Sequence, residues 1–415
     1  MENTKPFLQQ LFSEAVSACK PAACLPRYLH QVEAKHGVCV IGAGKAAAEM
    51  AAVVHQYFGD ACFGAVVTRY GYEQVGDTGR IRVLTASHPT PDENSLLAAK
   101  TLLQLVKDNP PHIPILFLIS GGGSSLMSLP VEAVSFAQKQ QLNRFLLRSG
   151  ANVAEINTVR KQLSQIKGGK LAKAAVAPHL SLIISDVVGD NPADIASGPT
   201  ISDGKSKADA LAILEKYHWP VLPEVAAFLK QPDVSDNDNS ASAAHYSIVA
   251  NAQTAIDAAI AKAQQAGWRC EVLGYDLQGE ASSVAKQHAK LALGYQQRAE
   301  RVLLFSGGEL TVTVSGEAGH GGPNQEYLLA LAQALNAAPG ISALACDTDG
   351  VDGSQDVAGA FIDAQTLQRA AAAKLDLQTE LNAHNSYHFF HTIGDLIITG
   401  PTNTNVNDFR VIMIE

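Results

Sequence analysis

One stretch constrains this chain more than any other: Ile115-Leu116-Phe117-Leu118-Ile119-Ser120-Gly121-Gly122-Gly123-Ser124-Ser125-Leu126. It opens as an uninterrupted apolar run. That length and composition suit a strand buried on both faces, as strands of parallel sheets are. The run then breaks into Ser-Gly-Gly-Gly-Ser-Ser. Consecutive glycines remove every Cβ where the chain leaves the sheet, so backbone amides can turn inward and approach a ligand closely. Ser120, Ser124 and Ser125 add hydroxyl groups. The stretch reads as a phosphate or carboxylate cradle at the carboxyl end of a parallel strand. A flexible turn that binds nothing would need one glycine rather than three.

The same strand–turn–helix grammar recurs through the first half. Gly37 to Ile41 reads as a strand, Gly42-Ala43-Gly44-Lys45 as a glycine turn, and Ala46 to Tyr57 as a small-residue helix. Gly42-x-Gly44 is half of a dinucleotide fingerprint, but Ala47 stands where the third glycine belongs. A lysine at a helix start opposes the macrodipole, so Lys45 points to a bound anion. The stretch is not a phosphate-binding loop of the Walker type, because no Ser or Thr follows the lysine. Further strands are expected at 64–68, 81–86 and 180–185. His88 follows the second of these, and Asp186 and Asp190 follow the third. Strand ends of this kind hold ligands in open α/β sheets, and acidic groups there suit metal or proton chemistry. Phe7 to Val32 reads as helical, and Lys167 beside Gly168-Gly169 could reach an anion.

With 415 residues the chain exceeds one ordinary core. A polar, turn-rich stretch at 231–240 places the expected boundary between domains 1–236 and 241–415. The second half restarts at Tyr246 and offers a second Ser306-Gly307-Gly308 turn before Glu309. Asp347, Asp349 and Asp352 lie within six residues and suggest a divalent-cation loop, though not with EF-hand spacing. His384, His388 and His391 are read as structural, since no carboxylate partner accompanies them. The expected fold is α/β: a doubly wound, Rossmann-like parallel sheet followed by a second α/β domain, with the active site in an interdomain cleft.

Composition narrows the partners. The formal charge of −9 and the absence of basic runs argue against nucleic acid. The six cysteines form no Cys-x-x-Cys pair, as expected of reduced thiols in the cytoplasm. No apolar run approaches membrane-spanning length, and the amino terminus carries no signal-peptide pattern. The sequence leaves room for a homo-oligomer.

Taken in order, the motifs resemble one family over nearly the whole chain. They are Ile41-Gly42-Ala43-Gly44-Lys45-Ala46, Ser87-His88-Pro89-Thr90-Pro91, the Ser120–Ser125 stretch, Asn157-Thr158-Val159-Arg160-Lys161, Ser185-Asp186-Val187-Val188-Gly189-Asp190 and Ser197-Gly198-Pro199-Thr200. They continue with Ser306-Gly307-Gly308-Glu309, Gly322-Pro323-Asn324-Gln325-Glu326, Asp347-Thr348-Asp349-Gly350 and 399–408. The chain resembles glycerate 2-kinases whose C-terminal half is a MOFRL domain, including the tartrate-degradation group sometimes called hydroxypyruvate reductase. The resemblance implies a mixed sheet in the second domain. It also implies transfer of the ATP γ-phosphoryl group to the 2-hydroxyl of D-glycerate, with Mg2+. By carry-over, Lys45 and Asp186 are catalytic. Gly44, His88, Ser120 to Ser124, Lys167, Asp190, Glu309, Asn324, Thr402 and Asn405 bind substrate or nucleotide, and Asp347, Asp349 and Asp352 hold the metal. One departure stands out: many members carry Arg where this chain has Pro323. The competing classes are an NAD(P)H-dependent hydroxypyruvate reductase, which would need a nicotinamide site, and a non-catalytic carboxylate-binding protein.

Overall fold

The computed structural model describes residues 4–232, 245–314 and 319–415. The chain folds as two compact units, one of Cys24–Val249 and one of Met1–Ala23 together with Ala250–Glu415.

The first unit is built on β1 (Val38–Ala43), β2 (Cys62–Arg69), β3 (Arg80–Ala86), β4 (Ile115–Ile119), β5 (His179–Ile184) and β6 (Tyr246–Ala250). Their order in the sheet is β3-β2-β1-β4-β5-β6, and β1 to β5 pair in parallel. Every residue of β1 and of β4 is buried, which is why both read as unbroken apolar runs. The helices Ala47–Phe58 and Glu93–Asp108 each bury one face. The second begins at a capping box in which Asp92 accepts from the Ser95 amide. A separate apolar cluster, including Leu142, Leu146, Val159, Leu163 and Leu214, joins the helices that follow β4. Strand order runs one way from β1 through β2 and the other way from β4 through β5. The expected ligand crevice therefore lies at the carboxyl ends of β1 and β4, where that order reverses.

The second unit carries β7 (Cys270–Glu280), β8 (Val302–Thr311), β9 (Ile341–Asp347), β10 (Gly359–Ile362), β11 (Leu396–Ile397) and β12 (Asp408–Ile414), ordered β11-β10-β9-β12-β8-β7. Only β7 and β8 are parallel; the other neighbours are antiparallel, so the sheet is mixed as expected. The helix Pro323–Leu335 buries most of its residues against this sheet.

Three expectations are corrected, and a fourth falls on residues outside those described. Tyr246–Ala250 does not open the second unit but completes the first sheet as its sixth strand. The expected boundary near 236–241 lies outside the described residues, and the units divide at Ala23/Cys24 and Val249/Ala250. The helix expected over 7–32 is continuous only over Thr4–Cys19, because Pro21 and Pro26 each begin a new short turn. That first helix belongs to the second unit. Phe12 packs 5.7 Å from Phe409, Phe7 stacks on Trp268 at 6.1 Å, and Thr404 Oγ1 donates to Cys19 O at 2.8 Å. Finally, Ser306-Gly307-Gly308 is not a turn. The strand runs through it, and the glycines admit the β7 backbone: a Cβ on Gly308 would stand 2.1 Å from Leu277 O. The pairing register shifts at that point.

All six cysteines are free thiols. No helix among the described residues is long and apolar enough to cross a membrane.

Candidate active site

The glycine turns after β1 and β4 meet each other. Gly44 (φ +140°) is required by contact, since a Cβ there would lie 2.1 Å from Ser120 Oγ. The Lys45 amide donates to Gly121 O at 2.8 Å, the Ala46 amide to Ser120 Oγ at 3.1 Å, and the Ala47 amide to Gly44 O at 3.1 Å. Three amides at this helix start, those of Lys45, Ala46 and Ala47, are therefore engaged within the protein. Ser120 acts here as a cap rather than as a ligand group.

The β4 turn differs. Gly122 takes φ +80°, and the Ser125 and Leu126 amides fold back to Gly122 O. Among the described residues, the amides of Gly121, Gly122 and Ser124 meet no backbone carbonyl. Three side chains close on this turn. A Cβ on Gly121 would stand 2.0 Å from Asp186 Oδ2. One on Gly122 would stand 3.0 Å from His88 Cδ2 and 3.4 Å from Lys45 Cγ. Gly123 lies under Ala196, with Ala43 O also close. Lys45, His88 and Asp186, from three different strand ends, thus surround the triple glycine. Asp190 sits on the turn beyond Asp186, with its amide on Val187 O at 3.0 Å. Lys167 is 1% exposed and places Nζ 2.6 Å from Ser124 Oγ. Its burial, with Lys139 and Arg160 nearby, holds its ammonium well below the ordinary lysine range.

The remaining sequence candidates lie in the second unit. Glu309 is exposed on β8, opposite Gln278. Thr402 Oγ1 donates to Thr348 O at 2.6 Å, tying its loop to the one after β9, and Asn405 Oδ1 accepts from the Asn407 amide at 3.0 Å within its own loop. Asp347 and Asp349 accept from the amides of Asp349 and Val351, each at 2.8 Å. Asp352 turns away into the start of the helix Pro323–Leu335. There it accepts from the amides of Asn324 at 3.0 Å and Gln325 at 2.9 Å. Burial pushes its carboxyl up to about 6. Among the described residues no three His, Cys, Asp or Glu side chains are grouped to hold a metal ion, and of the three expected metal ligands Asp352 is engaged at this helix start. Pro323, at the first turn of its helix, has no amide to satisfy and contributes no charge. Two of the three histidines do have carboxylate partners, each a separate one: His384 pairs with Glu326 at 3.0 Å and His388 with Glu380 at 2.9 Å, while His391 stacks on Tyr387.

Two residues beside the turn carried no role in the sequence reading. Ser197 Oγ lies 2.8 Å from Ser124 Oγ, and it donates to Asn157 Oδ1 at 3.2 Å. Both occur in quoted motifs, but only the fold brings them to Ser124.

A glycine turn ringed by a lysine, a histidine and a carboxylate lies at the switch point, the place where open α/β sheets hold their ligands. Residues 7–230 match a domain of unknown function (DUF4147), and residues 302–408 match the MOFRL family. The chain is 39% identical to a glycerate 2-kinase of Pyrococcus horikoshii, covering 92% of this chain and 89% of that one. It is 35% identical to a D-glycerate 2-kinase of Thermotoga maritima, covering 100% and 99%. An Agrobacterium vitis protein that carries a hydroxypyruvate reductase name is 43% identical, over 99% and 95%. The crystal structure of a glycerate kinase from Thermotoga maritima superposes with a TM-score of 0.90 over the whole of both chains. The chain belongs to the glycerate kinase family with a MOFRL domain.

Proposed function

We propose that the protein is a glycerate 2-kinase that transfers the ATP γ-phosphoryl group to the 2-hydroxyl of D-glycerate, giving 2-phosphoglycerate and ADP. One observation carries the reading at the level of chemistry: among the described residues the amides of Gly121, Gly122 and Ser124 meet no backbone carbonyl, beside Lys45 and Asp186. Phosphoryl transfer asks a protein chiefly for positioning and for neutralisation of charge on the equatorial oxygens. The open amides and the Lys45 ammonium supply that neutralisation. Asp186 orients the attacking hydroxyl, and His88 donates to an anionic oxygen. Lys167 acts from behind the turn, and Asp190 closes its rim. In the second unit, Glu309, Asp347 and Asp349 serve the nucleotide, while Asn324 and Asp352 hold a helix start. The acidic loop does not fit a protein-held divalent cation, so Mg2+ is taken as entering with the nucleotide, as MgATP.

The reductase alternative is the weaker reading at the β1 turn. A dinucleotide fold lays the pyrophosphate on that turn and that helix start. Here Ser120 and Gly121 occupy the Ala46 and Lys45 amides, and β2 ends at Thr68-Arg69 with no acidic residue for the ribose.

The test is a pair of assays. D-glycerate with MgATP should release ADP in step with glycerate, and 31P NMR should find the phosphate on the 2-position. Hydroxypyruvate with NADH or NADPH should give no nucleotide oxidation. Nucleotide oxidation without ADP release would replace the kinase reading with the reductase.

A further inference from the structure

Ser124 directly follows the triple glycine, where a hydroxyl would ordinarily donate to an anion. The neighbours of its oxygen fix the direction of every proton around it. The Asp194 carboxylate, paired with Lys161 at 3.0 Å, only accepts. Its Oδ1 takes Asn157 Nδ2 at 3.3 Å and its Oδ2 takes Asn191 Nδ2 at 2.6 Å. That turns Asn157 Oδ1 toward Ser197, whose Oγ donates its one proton there at 3.2 Å. Ser197 Oγ can then only accept from Ser124 Oγ, 2.8 Å away, so the Ser124 proton is spent on Ser197. Lys167 Nζ, 2.6 Å from Ser124 Oγ, meets no proton there and is itself the donor. It also donates to Ser124 O. The chain of hydrogen bonds therefore runs one way, from Lys167 to Ser124 to Ser197 to Asn157. An amine and an ammonium both have the two N–H groups that this needs.

The backbone holds Ser197 in place for this. Ala196 and Ser197 adopt φ of +52° and +60°, in the left-handed region disfavoured for side-chain-bearing residues. The Gly168 and Gly169 amides pin the run through Ser197 O at 3.2 Å and Gly198 O at 2.7 Å. Strain of this kind persists where the surroundings over-determine it, often at functional sites. Lys167, Ser197 and Asn157 are buried, whereas Ser124 is partly exposed. A ligand therefore meets Ser124 and not the rest of the chain. What it meets is an oxygen whose proton and one of whose two lone pairs are already engaged. The remaining lone pair can only accept. Ionised phosphate and carboxylate oxygens bring no proton, so they have nothing to pair with at Ser124 Oγ. A hydroxyl does. The anion is left to the backbone amides of Gly121, Gly122 and Ser124, which among the described residues meet no backbone carbonyl. The turn thus divides its work: its amides donate, and its serine oxygen accepts.

We propose that Ser124 determines specificity: its Oγ accepts a hydrogen bond from the non-reacting 3-hydroxyl of D-glycerate and so selects a dihydroxy acid over acids that lack that group. The inference rests on the kinase reading. D-glycerate carries two hydroxyls. The 2-hydroxyl is the one phosphorylated, and Asp186 orients it. The 3-hydroxyl remains, and it has a proton to give to an oxygen that can only accept. The nucleotide phosphates have none. A substrate without the 3-hydroxyl would set an apolar group against the last lone pair of Ser124 and exclude the water that otherwise fills it. Leaving such an acceptor unpaired corresponds to a preference of about 10- to 100-fold for the substrate that satisfies it. Lys167, Ser197 and Asn157 touch no substrate in this scheme. They are positioning residues that hold the Ser124 proton away from the ligand.

The experiment compares three acids of one configuration with MgATP: D-glycerate, D-lactate, and the 3-fluoro analogue, which nearly keeps the size of the hydroxyl but has no proton to give. kcat/KM for each acid, and KM for ATP, are measured for the wild type, S124A and S124C. In the wild type D-glycerate should lead both other acids by about 10- to 100-fold, and fluorine should bring no advantage over hydrogen. In S124A that lead should shrink by about tenfold or more. It should shrink in S124C as well, since a thiol of nearly the same size is a weak acceptor. The lead is a ratio within one protein, so a general loss of stability cancels from it. A wild type that uses the 3-fluoro analogue as well as D-glycerate would overturn the proposal. So would a lead that survives in both variants, or variants whose only change is a higher KM for ATP, which would give Ser124 to the nucleotide. If no acid drives ADP release, the kinase reading fails instead, and binding of the same acids is followed by isothermal titration calorimetry. Tighter binding of D-glycerate that S124A removes then keeps the assignment of Ser124, and equal binding of the three acids overturns it.

Discussion

The β4 turn and the start of the helix Pro323–Leu335 are alike in sequence and opposite in use. Each follows glycine and presents successive backbone amides. At Pro323–Leu335 the chain supplies its own anion: Asp352 takes the amides of Asn324 and Gln325 and, at 3.0 Å, the Gln325 side chain. Gly322 admits it, because a Cβ there would stand 2.4 Å from Asp352 Cγ. At the β4 turn, Gly121 admits the Asp186 carboxylate in a comparable way, yet among the described residues the amides of Gly121, Gly122 and Ser124 meet no backbone carbonyl. A filled junction is a piece of architecture. An open one is a place for a ligand. The distinction is made by a carboxylate 28 residues away, which no reading of the local motif contains.

The comparison breaks first at Gly121. Gly121→Ala drives a methyl into Asp186 Oδ2, and a displaced carboxylate costs far more in rate than in stability. Glycerate-dependent kcat/KM should fall about 100-fold, as misplacement by about 1 Å typically does. The thermal midpoint should stay within a few degrees of wild type, as differential scanning fluorimetry would report. A large loss of stability with intact specific activity would mean that the turn is architecture too.

Asp352→Ala converts the filled junction into an open one. It leaves the Asn324 and Gln325 amides buried without an acceptor, for a loss of about 3 kcal/mol in urea unfolding of the second unit. Sulfate should then raise the unfolding midpoint of the variant more than that of the wild type. Gly44→Ala probes a contact between the two turns of the first unit. Its Cβ would meet Ser120 oxygens at 2.1 and 2.5 Å, and φ is +140°. The expected cost is about 2 to 3 kcal/mol.

The filled junction also predicts a pH dependence. The Asp352 carboxyl is raised, mainly by burial, to about 6 in the folded protein from an ordinary value near 3.8. Between those values the native state binds more protons than the unfolded state. Stability of the second unit should therefore increase as pH falls from about 7 toward 4, by about 2 kcal/mol, and flatten below. In Asp352→Asn this component of the slope should vanish.

Much of the first unit was legible because its signals are local. Unbroken apolar runs gave β1 and β4, and the residues following the strands gave Lys45 after β1, His88 after β3, the triple glycine after β4 and Asp186 after β5. The mixed second sheet followed from the family resemblance rather than from pattern. What the sequence hid depends on long-range packing. Tyr246–Ala250 looks like a fresh start because an edge strand carries no mark of the sheet it joins. Ser306-Gly307-Gly308 looks like a turn because its glycines serve a neighbouring strand. Asp347, Asp349 and Asp352 look like a metal loop because spacing shows proximity along the chain, not the direction of a side chain. Ser197 and Asn157 were invisible for the same reason.

Ser120→Ala gives the smallest effect and the finest discrimination. In the sequence Ser120 belongs to the cradle; in the fold its Oγ accepts from the Ala46 amide and caps the helix after β1. Loss of such a cap costs about 1 kcal/mol. If Ser120 is only a cap, unfolding should register that loss while KM for glycerate and for ATP stays within about twofold, a change worth roughly 0.4 kcal/mol. If KM rises tenfold, Ser120 touches the ligand as well, and the boundary between the closed β1 turn and the open β4 turn lies one residue earlier than the backbone hydrogen bonds place it.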